Sequence, residues 1–233
     1  MTLFSHDGWL LLLRWIHFLS GITWIGLLYY FNLVQVPFFA ETEAPVRVGA
    51  QQKLLPRALW WFRWSAMITF LAGWIYFLDY WLRQLATPGA WVILLGGILG
   101  TVMWANVWFV IWPKNKLVIQ NAIDTGAGKA ANPAAPPAGA RAGLASRTNV
   151  VFSIPMLLFM GAASHGTTIL PKPRGSAVFW IVALIIVVLV EANALYGTPG
   201  QGAAKPLATV KGTLWSGFIL TLVFYVWFMI MSA

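Results

Sequence analysis

Residues 177–196 read AVFWIVALIIVVLVEANALY and carry a single charged side chain, Glu191. An apolar helix of about 20 residues is long enough to cross the roughly 30 Å hydrocarbon core of a bilayer. Five further apolar runs occur along the chain: Trp9–Phe31 with an apolar extension to Phe39, Leu59–Leu82, Trp91–Trp112, Asn149–Leu170 and Leu214–Met231. The sequence therefore predicts an all-α, polytopic membrane helical bundle with about six transmembrane helices, formed as a single domain over residues 1–233.

The composition supports this assignment and excludes several classes of protein. Hydrophobic residues make up 60% of the chain and charged residues 9%, against roughly 25% charged residues in a soluble domain. Cysteine is absent, which excludes disulfides, thiolate metal sites, iron–sulfur clusters and covalently attached c-type haem within this sequence. The net charge of +9 would suggest nucleic acid in a soluble protein, but here the basic residues lie mostly between apolar runs. The expected surroundings are therefore membrane lipid, and no nucleic acid partner is expected.

The basic residues of the loops predict the orientation of the bundle. With the N-terminus outside, ten Lys and Arg residues fall in inner loops and three in outer loops. The ten are Arg47, Lys53, Arg57, Lys114, Lys116, Lys129, Arg141, Arg147, Lys205 and Lys211, and the three are Arg83, Lys172 and Arg174. This excess predicts that both termini are periplasmic. The loop Pro113–Arg147 is then cytoplasmic, with a short surface helix over Pro113–Asp124 and a flexible linker over Gly126–Gly143.

Two histidines within predicted spans suggest a haem site. At helical spacing, Arg14, His17, Gly21 and Trp24 share one face of the first span. His165 lies near the end of the fourth span, with Gly161 one turn before it. The predicted orientation places both imidazoles in the outer half of the membrane, where small neighbours leave room for a planar group. His17 and His165 are therefore predicted to ligate the iron of haem b, with Arg14 pairing with a propionate.

Other interpretations of the histidines stay open at this stage. An intramembrane histidine often only forms hydrogen bonds between helices, and small residues are common at helix contacts. A non-haem metal site is disfavoured, because two histidines without a nearby carboxylate make a poor ligand set. Deeper tryptophans such as Trp74, Trp104 and Trp108 could line a cofactor or could simply pack.

Glu191 and Arg63 are the remaining charged residues of interest within predicted spans. One hypothesis makes them a buried ion pair, or makes Glu191 a proton-handling carboxylate. The other has Arg63 extend to the headgroups beside Trp60, Trp61 and Trp64. Glu191 is then protonated, or hydrogen-bonded to Asn32 or Asn106.

Three separated segments carry a resemblance to a known family. They are WIHFLSGITWIGLLYYFNLVQVPFF (15–39), MWANVWFVIWPKNKLVIQNA (103–122) and ASRTNVVFSIPMLLFMGAASH (145–165). Together they resemble the membrane domain found at the N-terminus of bacterial cytochrome-linked urate oxidases, over most of residues 9–230. The pattern R-x-x-H-x6-W-x-G of Arg14, His17, Trp24 and Gly26 is also similar to the first helix of bacterial haem-binding protoporphyrinogen oxidases and copper-resistance D proteins.

The resemblance implies a multi-helix membrane domain that oxidises urate and passes electrons to a C-terminal cytochrome c. This sequence contains no C-x-x-C-H motif, so a separate c-type cytochrome is the expected acceptor. The leading hypothesis is an integral membrane redox protein with haem b, which oxidises a small substrate such as urate or relays electrons to a periplasmic cytochrome c. The alternative is a non-catalytic membrane subunit of a larger respiratory or other membrane complex. A transporter is disfavoured, because no inverted repeat or broken helix pair is evident.

Overall fold

The computed structural model describes residues 3–165, 170, 173–174 and 176–233, and the regular elements in these ranges are all helical. The main helices are α1 (His6–Glu41), α2 (Ala44–Lys53), α3 (Leu55–Gln84), α4 (Pro88–Gly126), α5 (Ala135–His165), α6 (Ser176–Tyr196) and α7 (Val210–Ser232). Within the described ranges, the six other than α2 are long and apolar enough to cross a membrane. The predicted all-α class and the six spans are thus confirmed, whereas the periplasmic location of the termini stays a prediction.

Hydroxyl side chains fix where several of these helices begin. Thr87 accepts a hydrogen bond from the Ala90 N–H at the start of α4, and Thr209 accepts one from the Gly212 N–H at the start of α7. Each bond satisfies one of the first-turn N–H groups that have no partner within the helix. Local sequence therefore defines these helix starts before any packing is considered.

Two of the long helices have a π turn immediately before an internal proline. The π turn Tyr30–Gln35 precedes Pro37 in α1, and the π turn Asn106–Ile111 precedes Pro113 in α4. A proline inside an α-helix lacks an N–H and clashes with the carbonyl four residues earlier, and a local π adjustment relieves both problems. Residues 113–124 therefore continue α4, and the separate surface helix expected there is not formed.

The expected flexible linker Gly126–Gly143 is also wrong in extent. Helix α5 begins at Ala135, so only residues 127–134 lie between α4 and α5. Ala135, Ala138 and Ala142 are buried, and Gly139 lies close to the Val118 side chain of α4. The composition that suggested a linker instead provides small residues that let α5 pack closely against α4.

Helix α5 is the centre of the bundle. In its most apolar stretch 67% of the residues are buried, against 17–44% for the other membrane helices. It packs along α4 and against α7, while α1 packs along α3. Many of its buried residues are small or polar, including Ala145, Ser146, Asn149 and Ser153. Such residues allow close helix approach in a bilayer, where apolar side chains gain little by avoiding lipid.

Both termini lie at the same end of the bundle. His6 bonds the Asp79 carboxylate near the end of α3, at 3.0 Å. The Phe179 ring at the start of α6 contacts Trp91 at the start of α4 and Trp227 near the end of α7. We call this end of the bundle the terminal end, and the opposite end, which carries α2 and residues 127–134, the loop end.

Candidate functional site

A cavity of about 620 Å³ lies between α1, α3, α4 and α5. It occupies the space between two helix pairs, α1 with α3 and α4 with α5. Its walls are mostly apolar and aromatic, and include Phe70, Trp74, Leu94 and Met160. The volume lies within the roughly 300–1,000 Å³ that is typical of small-molecule and cofactor sites.

The six residues that the sequence assigned to a haem site all line this cavity. Helix α1 contributes Arg14, His17, Gly21 and Trp24, and helix α5 contributes Gly161 and His165. Spacing along one helix accounts for the first four, but only the tertiary packing of α1 and α5 brings the last two to the same place. The cavity is therefore the candidate cofactor site.

His17 is held by helix α3. Its Nδ1 lies 2.9 Å from the carbonyl oxygen of Thr69, and its ring packs directly on Gly73. A carbonyl only accepts hydrogen bonds, so Nδ1 carries the proton and Nε2 has a free lone pair. A carbonyl partner on one ring nitrogen is the usual arrangement that orients a metal-ligating histidine and leaves the other nitrogen for the metal.

Arg14 and His165 are less constrained than His17. The Arg14 guanidinium stacks on the rings of Tyr76 and Tyr80, at 5.1 and 5.9 Å from their centroids. Within the described ranges it has no ion pair, so its charge is free to bind a carboxylate from a ligand. His165 is the last residue of α5 and its side chain is exposed.

The cavity contains open space beside three of its glycines. A Cβ atom added at Gly26, Gly97 or Gly161 would meet no atom within 4 Å. The Trp24 side chain is 2% exposed, and its Nε1–H has no acceptor among the residues that the structure describes. This N–H is enclosed by protein and does not reach the open space. An apolar space lined by two imidazoles and a guanidinium is a donor set that fits haem b.

A second polar cluster lies closer to the loop end. The Asn106 side-chain amide donates to the carboxylate of Glu191 and to the side-chain oxygen of Asn149, both at 2.9 Å. Asn149 in turn donates to the carbonyl of Met103 at 2.9 Å. Of the two amide partners proposed for Glu191, the structure therefore shows Asn106, whereas Asn32 donates to Ser146.

The hypothesis of an ion pair between Arg63 and Glu191 is not supported. Among the described residues, no acidic group lies within 4.0 Å of the Arg63 guanidinium. Arg63 instead lies over three indole rings, those of Trp64, Trp108 and Trp112. The charge of Arg63 is therefore stabilised by aromatic faces and not by a carboxylate.

Comparison with known proteins identifies the family. The model of the urate oxidase N-terminal family matches residues 74–228. The chain belongs to the urate oxidase N-terminal family. No curated protein and no solved structure matches the chain. The match covers two of the three segments that carried the resemblance and includes His165 and Glu191, whereas Arg14 and His17 precede it.

In this member of the urate oxidase N-terminal family, sequence reasoning named Trp74 as a residue that could line a cofactor, and it missed the other contributions of α3 to the cavity. Thr69 acts through its backbone carbonyl, which no side-chain pattern reveals. Gly73 acts by leaving room for the His17 ring, and glycines are frequent in membrane helices for many reasons. A usable signal was the pair of tyrosines Tyr76 and Tyr80, one turn apart on α3, which provide the aromatic faces under Arg14.

Proposed function

We propose that this protein is an integral membrane redox domain that binds haem b in the cavity between α1, α3, α4 and α5. The single observation that carries the proposal is the convergence of Arg14, His17 and His165, from two different helices, on one apolar cavity. Haem b, when bound, would supply one-electron chemistry. The remaining functions fall to residues of this chain.

His17 is the residue best prepared to bind the iron. The Thr69 carbonyl accepts a hydrogen bond from its Nδ1–H and so leaves the Nε2 lone pair free, while Gly73 leaves room for the ring against α3. His165 would be the second residue to hold the iron. Arg14 would bind a propionate and keep it at the terminal end, and the apolar walls would exclude water.

The partners of this redox site are proposed from the family. Urate is the small reductant to test first, because the matching family is named for urate oxidase. A separate periplasmic c-type cytochrome is the proposed acceptor, and it would dock at the terminal end, next to the cavity. This end faces the periplasm in the orientation that the loop charges predict, with the protein in the bacterial inner membrane.

An absorption spectrum of protein purified from haem-replete cells tests the proposal. We expect a Soret band, a sharp α-band on reduction, and release of haem b into pyridine because the chain has no cysteine for a covalent link. His17→Ala and His165→Ala should each abolish the low-spin spectrum, since each removes one of the two residues that would hold the iron.

His6→Ala is the matched control. His6 is exposed and pairs with Asp79 outside the cavity, so its removal should leave the spectrum unchanged. Absence of a Soret band in the wild-type protein would refute the haem proposal. The non-catalytic subunit would then be the better hypothesis, and stable co-purification with a larger complex in mild detergent would test it.

A further inference from the structure

Arg63 lies in an aromatic cage of three indole rings near the loop end of α3. It is eight residues into α3, about 12 Å from the start of that helix at 1.5 Å per residue. Its guanidinium carbon lies 4.1 Å from the centroid of Trp112 and 5.1 Å from that of Trp108. Trp60 and Trp61, one turn earlier, are exposed, as expected for a tryptophan belt at the membrane interface.

The charge of Arg63 has no anionic partner among the residues that the structure describes. Its Nε is buried and has no acceptor within the described residues, and no carboxylate reaches its guanidinium there. The side chain as a whole is only partly buried, so its terminal nitrogens are the part that reaches the surface. Cation–π contacts lower the cost of the charge but leave these N–H groups without acceptors.

A second cation lies over the same indole ring. The Lys116 ammonium is 6.0 Å from the centroid of Trp112, and the side chain is exposed. Trp112 therefore has two cations against one ring, Arg63 from α3 and Lys116 from α4. Basic pockets between membrane helices at the headgroup level are suited to anionic lipid headgroups.

An apolar surface runs from this pair towards the middle of the membrane. Trp64 is 39% exposed, and Ile68, one turn further along α3, is 45% exposed. Phe109, which precedes Trp112 by one turn on α4, is 69% exposed. A ligand that combines a phosphate with long acyl chains would satisfy both the cations and this surface, whereas a free phosphate would satisfy only the cations.

We propose that Arg63 and Lys116 form a binding site for an anionic phospholipid in the leaflet at the loop end. The lipid phosphate accepts hydrogen bonds from the Arg63 fork and the Lys116 ammonium, and an acyl chain lies along Trp64, Ile68 and Phe109. This site is separate from the cavity and does not depend on haem binding.

Lipid titration of the purified protein in detergent tests the site. Phosphatidylglycerol should raise the midpoint of thermal unfolding in a saturable way, and native mass spectrometry should detect the bound lipid. Phosphatidylcholine and inorganic phosphate should do neither. Arg63→Gln and Lys116→Gln should each weaken phosphatidylglycerol binding roughly tenfold, as expected when one charged hydrogen-bond donor is lost.

Arg57→Gln is the matched control, because Arg57 is exposed on the same helix and its substitution removes the same charge. It should leave binding unchanged. Arg63→Lys keeps the charge but loses the fork, so it should bind more weakly than wild type and serves if Arg63→Gln does not fold. Equal stabilisation by phosphatidylcholine or by inorganic phosphate, or an equal loss in Arg57→Gln, would overturn the proposal.

Discussion

Gly73→Ala tests whether α3 holds the ring of His17. The added Cβ would lie 2.8 Å from Cε1 and 3.0 Å from Nδ1 of His17, which is too close for the ring to stay in place. Moving the ring breaks the 2.9 Å bond to the Thr69 carbonyl. Loss of that bond costs about 1 kcal/mol, and overpacking a filled position costs about 1–3 kcal/mol.

The net effect of Gly73→Ala is destabilising. Alanine gains about 1 kcal/mol over glycine in a helix interior, so the net loss is about 1–3 kcal/mol. Thermal unfolding in detergent should therefore show a lower midpoint than for wild type. Gly97→Ala is the control: Gly97 lines the same cavity, but its added Cβ meets nothing within 4 Å, so the midpoint should stay or rise.

A double-mutant cycle makes the Gly73 test specific to the histidine ring. In a His17→Ala background the ring is gone, and Gly73→Ala should then be neutral or slightly stabilising. If Gly73→Ala unfolds at the same temperature as Gly97→Ala, or if it is equally harmful without the ring, then His17 is not held against α3 as described.

Two further predictions concern the hydrogen bonds of Asn106 and the orientation of the bundle in the membrane. Asn106→Ala should destabilise the protein by about 2–4 kcal/mol, because it leaves both Glu191 and Asn149 without a donor, and thermal unfolding in detergent will measure this. A result close to wild type would mean that these groups find other partners. A reporter inserted within residues 127–134 should behave as cytoplasmic and one fused after Ala233 as periplasmic; the opposite result would reverse the assigned orientation.

Much of the fold follows from the sequence, because a membrane leaves few alternatives. Runs such as residues 177–196 have to be helical once they lie in hydrocarbon, since every backbone group must be paired within the segment. In the same way, one wall of the cavity follows from helical spacing, which places four residues of α1 on one face: Arg14, His17, Gly21 and Trp24.

The parts that sequence could not predict depend on packing between helices. Residues 135–143 resemble a linker in composition, yet Ala138 and Ala142 are buried in α5 because their small size lets α4 approach. The hydrogen bond of His17 runs to a backbone carbonyl, so the identity of residue 69 gives no signal for it. One hypothesis from the sequence was a hydrogen bond between Glu191 and an asparagine amide. Only the tertiary structure shows that this asparagine is Asn106 and not Asn32.

The π turn Asn106–Ile111 makes α4 intolerant of small changes in length. Each residue of a helix advances the direction of its side chains by about 100°, so one extra residue in a turn rotates everything after it by that angle. Gly97 and Gly100 before the turn face the cavity, and Trp112 after it faces Arg63. Deleting one residue from the turn would keep only one of these faces in place. It would also put Pro113 into a regular helix, where its ring and missing N–H cost about 3 kcal/mol. The one extra residue of the π turn thus sets the angle around the α4 axis between the two binding surfaces proposed for this helix.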